Sequence, residues 1–225
     1  MSIERQGLHI HSDLEFSTTR NLSKKKILSF LKDSLPEVAK ELAKKALSQS
    51  IDLSDICENR ISSEIQRLLN DQLRGANSDY TFTFNESRGP DIVIYASPYM
   101  AFSNILFLIE GKRLRSQSSN DYVKTGIRRF KREEHGKKHD IAAMLGYVQE
   151  NNFSHWYDKV NSWIIALISD TSETPKWTTE EQVNKIQVTD IGEYQSTHCR
   201  ITEEPITLHH FWIDLCGHAP KMILN

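Results

Sequence analysis

Asp91, Glu110 and Lys112 are the residues of this chain whose types and spacing could do chemistry. They stand at the ends of two strongly apolar runs, Gly89-Pro90-Asp91-Ile92-Val93-Ile94-Tyr95 and Ile105-Leu106-Phe107-Leu108-Ile109-Glu110-Gly111-Lys112. Ionised groups are costly to bury unless paired or bound to a metal, so packing gives no reason for an Asp and a Glu-x-Lys in such company. If the runs form an antiparallel hairpin with its loop near Tyr99 and Met100, opposed residues have numbers summing to about 201. Asp91 then lies across from Glu110, with Lys112 two residues further on the same face. Two carboxylates so close repel, and one keeps its proton unless a divalent cation and an ammonium stabilise both charges. Hard oxygen ligands with one lysine suit magnesium or manganese rather than zinc. A slip of one residue in register would turn Asp91 to the other face.

The elements that must hold these residues can be read from pattern. Tyr80-Thr81-Phe82-Thr83-Phe84 has the β-branched and aromatic composition of a strand feeding the hairpin. Upstream, Ile61, Ile65, Leu68 and Leu69 form one stripe at about 100° per residue, predicting a helix capped by Ser54 or Asp55 and running to Leu73. Residues 1–20 suggest a strand or a loose arm, and Leu22 to Ser50 suggests two helices separated at Pro36. After the hairpin, 115–120 reads as a Ser-rich loop, Ile141 to Val148 as a helix packed on the sheet, and Phe153 to Ile168 as a helix whose aromatic stripe is core. Ile206 to Leu215 reads as a strand.

Pro90-Asp91 followed by Glu110-Gly111-Lys112 resembles the motif of the PD-(D/E)xK nuclease superfamily, and the order helix, three strands, helix, further β-structure is similar to its core. The resemblance implies an α/β fold: a restriction-endonuclease-like core with a mixed central β-sheet flanked by helices, here with an N-terminal helical extension. It divides the chain into a partly helical extension over 1–50 and a nuclease-like domain over 51–225. It also implies that Asp91, Glu110 and the Gly111 carbonyl bind magnesium, for which manganese could substitute, and that Lys112 positions or activates the attacking water. The superfamily adds a glutamate from an upstream helix. Glu58, near the centre of the apolar stripe, is the better candidate and Glu64 the other. Gly126-Ile127-x-Arg129-Phe130 and Met144-Leu145-Gly146-Tyr147-Val148 are similar to segments of bacterial nucleases linked to restriction or phage defence.

Net charge is only −2, yet Lys124, Arg128, Arg129, Lys131, Arg132, Lys137 and Lys138 cluster soon after Lys112. Such a segment could bind backbone phosphates, and it also reads as a solvated helix face with ordinary ion pairs. Cys57, Cys199 and Cys216 are widely spaced, which suggests reduced thiols. Of nine histidines, His9 and His11 could share a strand face and His135 and His139 a helix face, but no third zinc ligand accompanies them; His198 or His209 reads as a core histidine. With 38% apolar residues the chain can bury a substantial core. No apolar run nears the roughly 20 residues that span a bilayer, and the N-terminus lacks a signal pattern, so a cytoplasmic location is expected.

The expected function is metal-dependent phosphodiester hydrolysis by a DNA endonuclease, with RNA still open, as a homodimer or with a partner subunit in a defence complex, away from membranes. The alternative is a non-catalytic nucleic-acid-binding or assembly subunit that keeps the fold.

Overall fold

The computed structural model describes residues 6–75, 80–85, 89–96, 105–115 and 120–216. Its centre is a seven-stranded mixed sheet: β1 (Tyr80–Phe84), β2 (Ile92–Ala96), β3 (Ile105–Leu114), β4 (Ile141–Val148), β5 (Asn184–Val188), β6 (Ile191–Cys199) and β7 (Pro205–Asp214), in the order β1-β2-β3-β4-β7-β6-β5. β4 is parallel to both β3 and β7, and the outer pairs are antiparallel. Helices α1 (Gln6–Ser48) and α2 (Glu58–Gly75) cover one face. A π-helical turn (Tyr122–Ile127), the short α3 (Arg128–Lys131) and α4 (Phe153–Ile168) cover the other. The expected mixed sheet between helices is therefore present. Among the described residues, no helix is long and apolar enough to cross a membrane.

Three sequence expectations are corrected. Ile141–Val148 is not a helix but the central strand β4, paired on both sides. Short apolar runs do not distinguish the two states by period, and this one is buried on both faces, as parallel strands are. The N-terminal region is not an arm followed by two helices. One helix runs from Gln6 through Pro36 to Ser48. Proline inside a helix costs about 3 kcal/mol, but Ile27, Leu31, Leu35, Val38 and Leu42 bury on the sheet and α2 along a single stripe, and that burial outweighs one lost hydrogen bond. His9 and His11 consequently lie on a helix, not a strand. Ser54 and Asp55, expected to cap α2, lie instead within a separate 3-10 turn (Leu53–Asp55) ahead of it, whose own cap is Asp52, accepting from the Ser54 N–H at 2.8 Å.

The hairpin register agrees with the sequence reading from Ile92 to Ile94, where Ile92 faces Ile109, Val93 faces Leu108 and Ile94 faces Phe107, and a bulge after Ile94 then sets Tyr95 against Ile105. The loop about Tyr99 and Met100 lies outside the described residues, as does the Ser-rich stretch 116–119. β2 pairs with β3 only as far as Ile109, while β3 continues to Leu114 beside β4. The end of β3 is thus left without an antiparallel neighbour, and the sheet splits there.

The π-helical turn is fixed from beneath. Tyr122 accepts from Trp212 Nε1 at 2.9 Å and pairs with His210 Nδ1 at 2.8 Å; Ser196 Oγ joins His210 Nε2 and His198 Nε2, each at 2.7 Å. His198 and His210 are core histidines, and of the pair 209–210 it is His210 that lies deepest. Burial holds both imidazoles neutral, His210 down to about 3 and His198 well below its usual value. Trp156, Val160, Ile164 and Leu167 of α4 pack against this layer, so the aromatic stripe is core as expected.

Since Leu35 is fully buried between α1 and the sheet, Leu35→Ala should cost about 2–5 kcal/mol in chemical denaturation, against about 0.5 kcal/mol or less for a solvent-facing site. An unchanged midpoint would mean that α1 is not part of the core.

Candidate active site

The split between β2 and β3 explains where the carboxylates go. Beyond Ile109, the β3 donors that would have met β2 are Gly111 N–H and Arg113 N–H, and both are taken by side chains. Asp91 Oδ2 accepts from Gly111 N–H at 2.8 Å, and Glu58 Oε2 accepts from Arg113 N–H at 3.2 Å. Buried backbone donors require partners. Asp91 comes from the bend just before β2. Glu58 is the first residue of α2, where the helix dipole favours an acid.

Lys112 sits among these groups. Its ammonium donates to Glu58 Oε1 at 2.7 Å and to the Gly111 carbonyl at 2.8 Å, and lies 2.8 Å from Glu110 Oε1. Glu110 and Lys112 share a face, as the sequence predicts. Asp91 does not continue their line: it precedes β2, so strand alternation no longer governs it, and its carboxylate turns toward Ser62 Oγ, 3.5 Å away on α2. Ser62 pairs in turn with the Tyr147 hydroxyl at 2.8 Å. Glycine is required at 111 for this convergence. A Cβ there would stand 2.8 Å from Ser62 Oγ and 2.9 Å from Asp91 Oδ2, and would also strike the Tyr147 hydroxyl. Gly126 plays a similar part from the other face, where a Cβ would meet Met144 and, at 3.3 Å, the Lys112 stem.

The charges are strongly perturbed. Burial, then the neighbouring Glu110 charge, raises the Asp91 carboxyl to about 7. Burial also raises Glu110, against the pull of Lys112 and Arg129. For Lys112, burial opposes the charged form, but Glu110, Glu58 and Asp91 outweigh it and the net displacement is upward, so the ammonium is retained.

The cleft in front of Asp91 and Lys112 encloses about 540 Å³, lined also by Glu58, Asn59, Asn85, Gly89, Asp121, Thr125, Arg129, Glu134 and His135. Of these, Asn59, Asp121, Thr125 and His135 carry no sequence pattern that marks them as site residues. His135 is visible only as half of a His-x-x-x-His spacing, and that spacing misleads, because His135 and His139 lie in bends and turns after α3, not on a helix. Glu64 is turned away, paired with Lys45 at 2.8 Å and Arg67 at 2.7 Å. The geometry thus brings Glu58, not Glu64, to Lys112.

The cationic segment is only partly at the surface. Lys124, Lys137 and Lys138 are exposed. Lys131 is instead fully buried and ion-paired with Glu181, under Trp177, which removes it from any exposed basic face. Arg128 pairs with Glu173 at 2.8 Å, and Arg132 donates to the Thr174 carbonyl at 3.1 Å. The three cysteines are free thiols.

Among the described residues no three His, Cys, Asp or Glu side chains group closely enough to enclose a metal ion by themselves. A cation here would draw on Asp91, Glu110 and the Gly111 carbonyl. The fit to a hard divalent ion rests on two observations: the donor set is all oxygen, and Glu110 Oε2 is buried with no hydrogen-bond partner.

No family model matches the chain, and no curated protein and no solved structure matches it either.

The raised Asp91 pKa has a sign that can be tested. The folded chain binds more protons than the unfolded one between about pH 4 and pH 7, so this group destabilises the fold as pH rises through that window. In chelator, Asp91→Asn should therefore melt near the wild-type temperature at pH 4 and above it at pH 8, by about 2–4 °C for each kcal/mol relieved. A difference independent of pH would remove the carboxylate repulsion from the account.

Proposed function

We propose that this chain is a metal-dependent nuclease of the PD-(D/E)xK type, hydrolysing phosphodiester bonds in DNA as an endonuclease. The observation that carries the reading is the convergence of Asp91, Glu110, Lys112 and Glu58 where β3 outruns β2. Pairs of carboxylates with displaced pKa values beside a retained ammonium in a polar cleft are the arrangement expected of a reaction centre. Asp91, Glu110 and the Gly111 carbonyl would hold the cation, which when bound supplies charge neutralisation and a more acidic water. Lys112 keeps its proton, so it does not act as the base; to orient the attacking water it would turn to it one of the three N–H groups that now meet Glu58, the Gly111 carbonyl and Glu110. Glu58 holds that ammonium in place, and Ser62 with Tyr147 holds Asp91. Lys124, Lys137 and Lys138 supply phosphate contacts at the rim of the basic segment. The role in restriction or phage defence, the cytoplasmic location and any partner subunit belong to the same proposal.

One observation favours the second reading, a nucleic-acid-binding or assembly subunit: the Lys112 ammonium is already saturated by three oxygen partners, as in a purely structural ion cluster. Plasmid incubation separates the two. With magnesium or manganese the purified chain should nick or linearise plasmid, chelator should stop it, and calcium should support binding with little turnover. Asp91→Ala, Glu110→Ala and Lys112→Ala should each lose at least about 10²-fold in rate while remaining folded, because such groups act as a unit. Intact plasmid with every metal would favour the binding subunit, and a parallel RNA substrate decides the sugar, which the metal chemistry does not.

Replacing Lys124, Lys137 and Lys138 by Gln should weaken binding to unrelated duplexes alike and flatten the salt dependence by up to about one unit of slope per lost contact. Lys131→Gln should instead lower the melting temperature, since it strands the buried Glu181. An unchanged salt slope in the triple variant would take the phosphate contacts elsewhere.

A further inference from the structure

The four cations at the heart of the basic segment are used unequally. Arg128, Lys131 and Arg132 are committed to Glu173, Glu181 and the Thr174 carbonyl. Arg129 differs. Its Nη1 reaches Glu110 Oε1 at 3.3 Å and His135 Nε2 at 3.4 Å, while Nε and Nη2 donate to no described residue. The side chain keeps 40% of its surface exposed, on the wall of the cleft that holds Asp91 and Lys112.

His135 holds that guanidinium in place. Its Nδ1 stands 3.0 Å from the Glu134 carbonyl, and its Nε2 faces Arg129 Nη1 at 3.4 Å with Glu110 Oε2 further off at 3.6 Å, beyond hydrogen-bond reach. A carbonyl only accepts and a guanidinium only donates, so Nδ1 carries the hydrogen and Nε2 offers a lone pair. The ring is buried, edge-on to Phe130 at 5.8 Å. The turn behind it is clamped by Arg200 Nη1, which donates to the carbonyls of Gly136 at 3.2 Å, Lys137 at 3.3 Å and His139 at 3.1 Å. Gly136 takes φ +68°, and a Cβ there would press on Phe130 at 3.2 Å. A neutral imidazole and a carboxylate oxygen, both fixed, thus hold one end of the guanidinium fork and leave the other end facing the cleft.

We propose that Arg129 is a further catalytic residue of this site, its free N–H groups contacting a non-bridging oxygen of the phosphate at which the bond breaks, and that His135 is the positioning residue that aims it. The proposal rests on the nuclease reading above. Charge on those oxygens grows toward the transition state, and a donor already fixed in place stabilises it without reorganisation. The planar fork suits a phosphate better than an ammonium would.

Cleavage kinetics on a duplex in magnesium test this. Arg129→Ala should lower kcat by about 10²–10³-fold, the usual loss for one preorganised donor, with a far smaller change in KM. Added guanidinium at millimolar concentration should restore part of that rate in Arg129→Ala and none in Lys112→Ala. His135→Leu should cost about tenfold in kcat, the worth of one hydrogen bond, and His135→Gln, whose amide oxygen can accept from Arg129, should recover most of it. Should the leucine variant not fold, the glutamine variant and the guanidinium response still decide. Wild-type cleavage with Arg129→Ala within about threefold in kcat, or a loss confined to KM and indifferent to guanidinium, overturns this inference alone; a wild type that binds duplex but never cleaves overturns the nuclease reading and this inference with it.

Discussion

β3 is longer than the strand it pairs with, and the site depends on that mismatch. Past Ile109 its N–H groups have no antiparallel partner, while its other edge stays bonded to β4 through Val148. Unpaired buried donors must be satisfied, and carboxylates satisfy them well because charge-assisted hydrogen bonds are the stronger kind. Asp91 and Glu58 arrive from different elements, one at a strand entrance and one at a helix start, to answer the same need at Gly111 and Arg113. The geometry of a sheet opening thereby becomes a cluster of acids.

The cluster cannot be electrically comfortable. Among the described residues, Lys112 and Arg129 are the cations paired with Glu58 and Glu110, while His135 Nε2 stands 3.6 Å from Glu110 Oε2. The imbalance falls on the two carboxylates that are held up, Asp91 and Glu110, and it leaves Glu110 Oε2 without a donor. Purely structural ion clusters end with partners matched, since breaking a buried pair costs several kcal/mol. Here Glu58 and Asp91 line a cleft.

Two separate apolar layers keep this arrangement rigid. On one face α1 and α2 pack against Ile92, Ile94, Phe107 and Ile109, fixing Glu58 and Ser62 relative to β3. On the other, the hydrogen-bonded chain Trp212, Tyr122, His210, Ser196 and His198 anchors the π-helical turn that leads into Arg129. π-helical turns recur at functional positions because the extra residue re-aims the side chains beyond it.

The chain by itself determined the acids, the lysine and their neighbourhood. Apolar runs broken by Asp91 and by Glu110-Gly111-Lys112 are local anomalies, visible without any partner, and strand pairing is set by turn position, so the register from Ile92 to Ile94 was legible. So were α2 and α4, whose helical stripes are plain, and β7, a run rich in β-branched and aromatic residues. Tertiary structure decided what depends on the environment of both faces or on distant partners. β4 could be recognised as a strand only once β3 and β7 enclosed it, because a run buried all round carries no period. Pro36 was tolerated because the sheet rewards an unbroken α1. The choice of Glu58 over Glu64 came from where β2 stops, and the fate of Lys131 from Glu181, 50 residues away. His135 joined the site through a turn clamped by Arg200, a contact between positions 61 to 64 residues apart that no local pattern encodes.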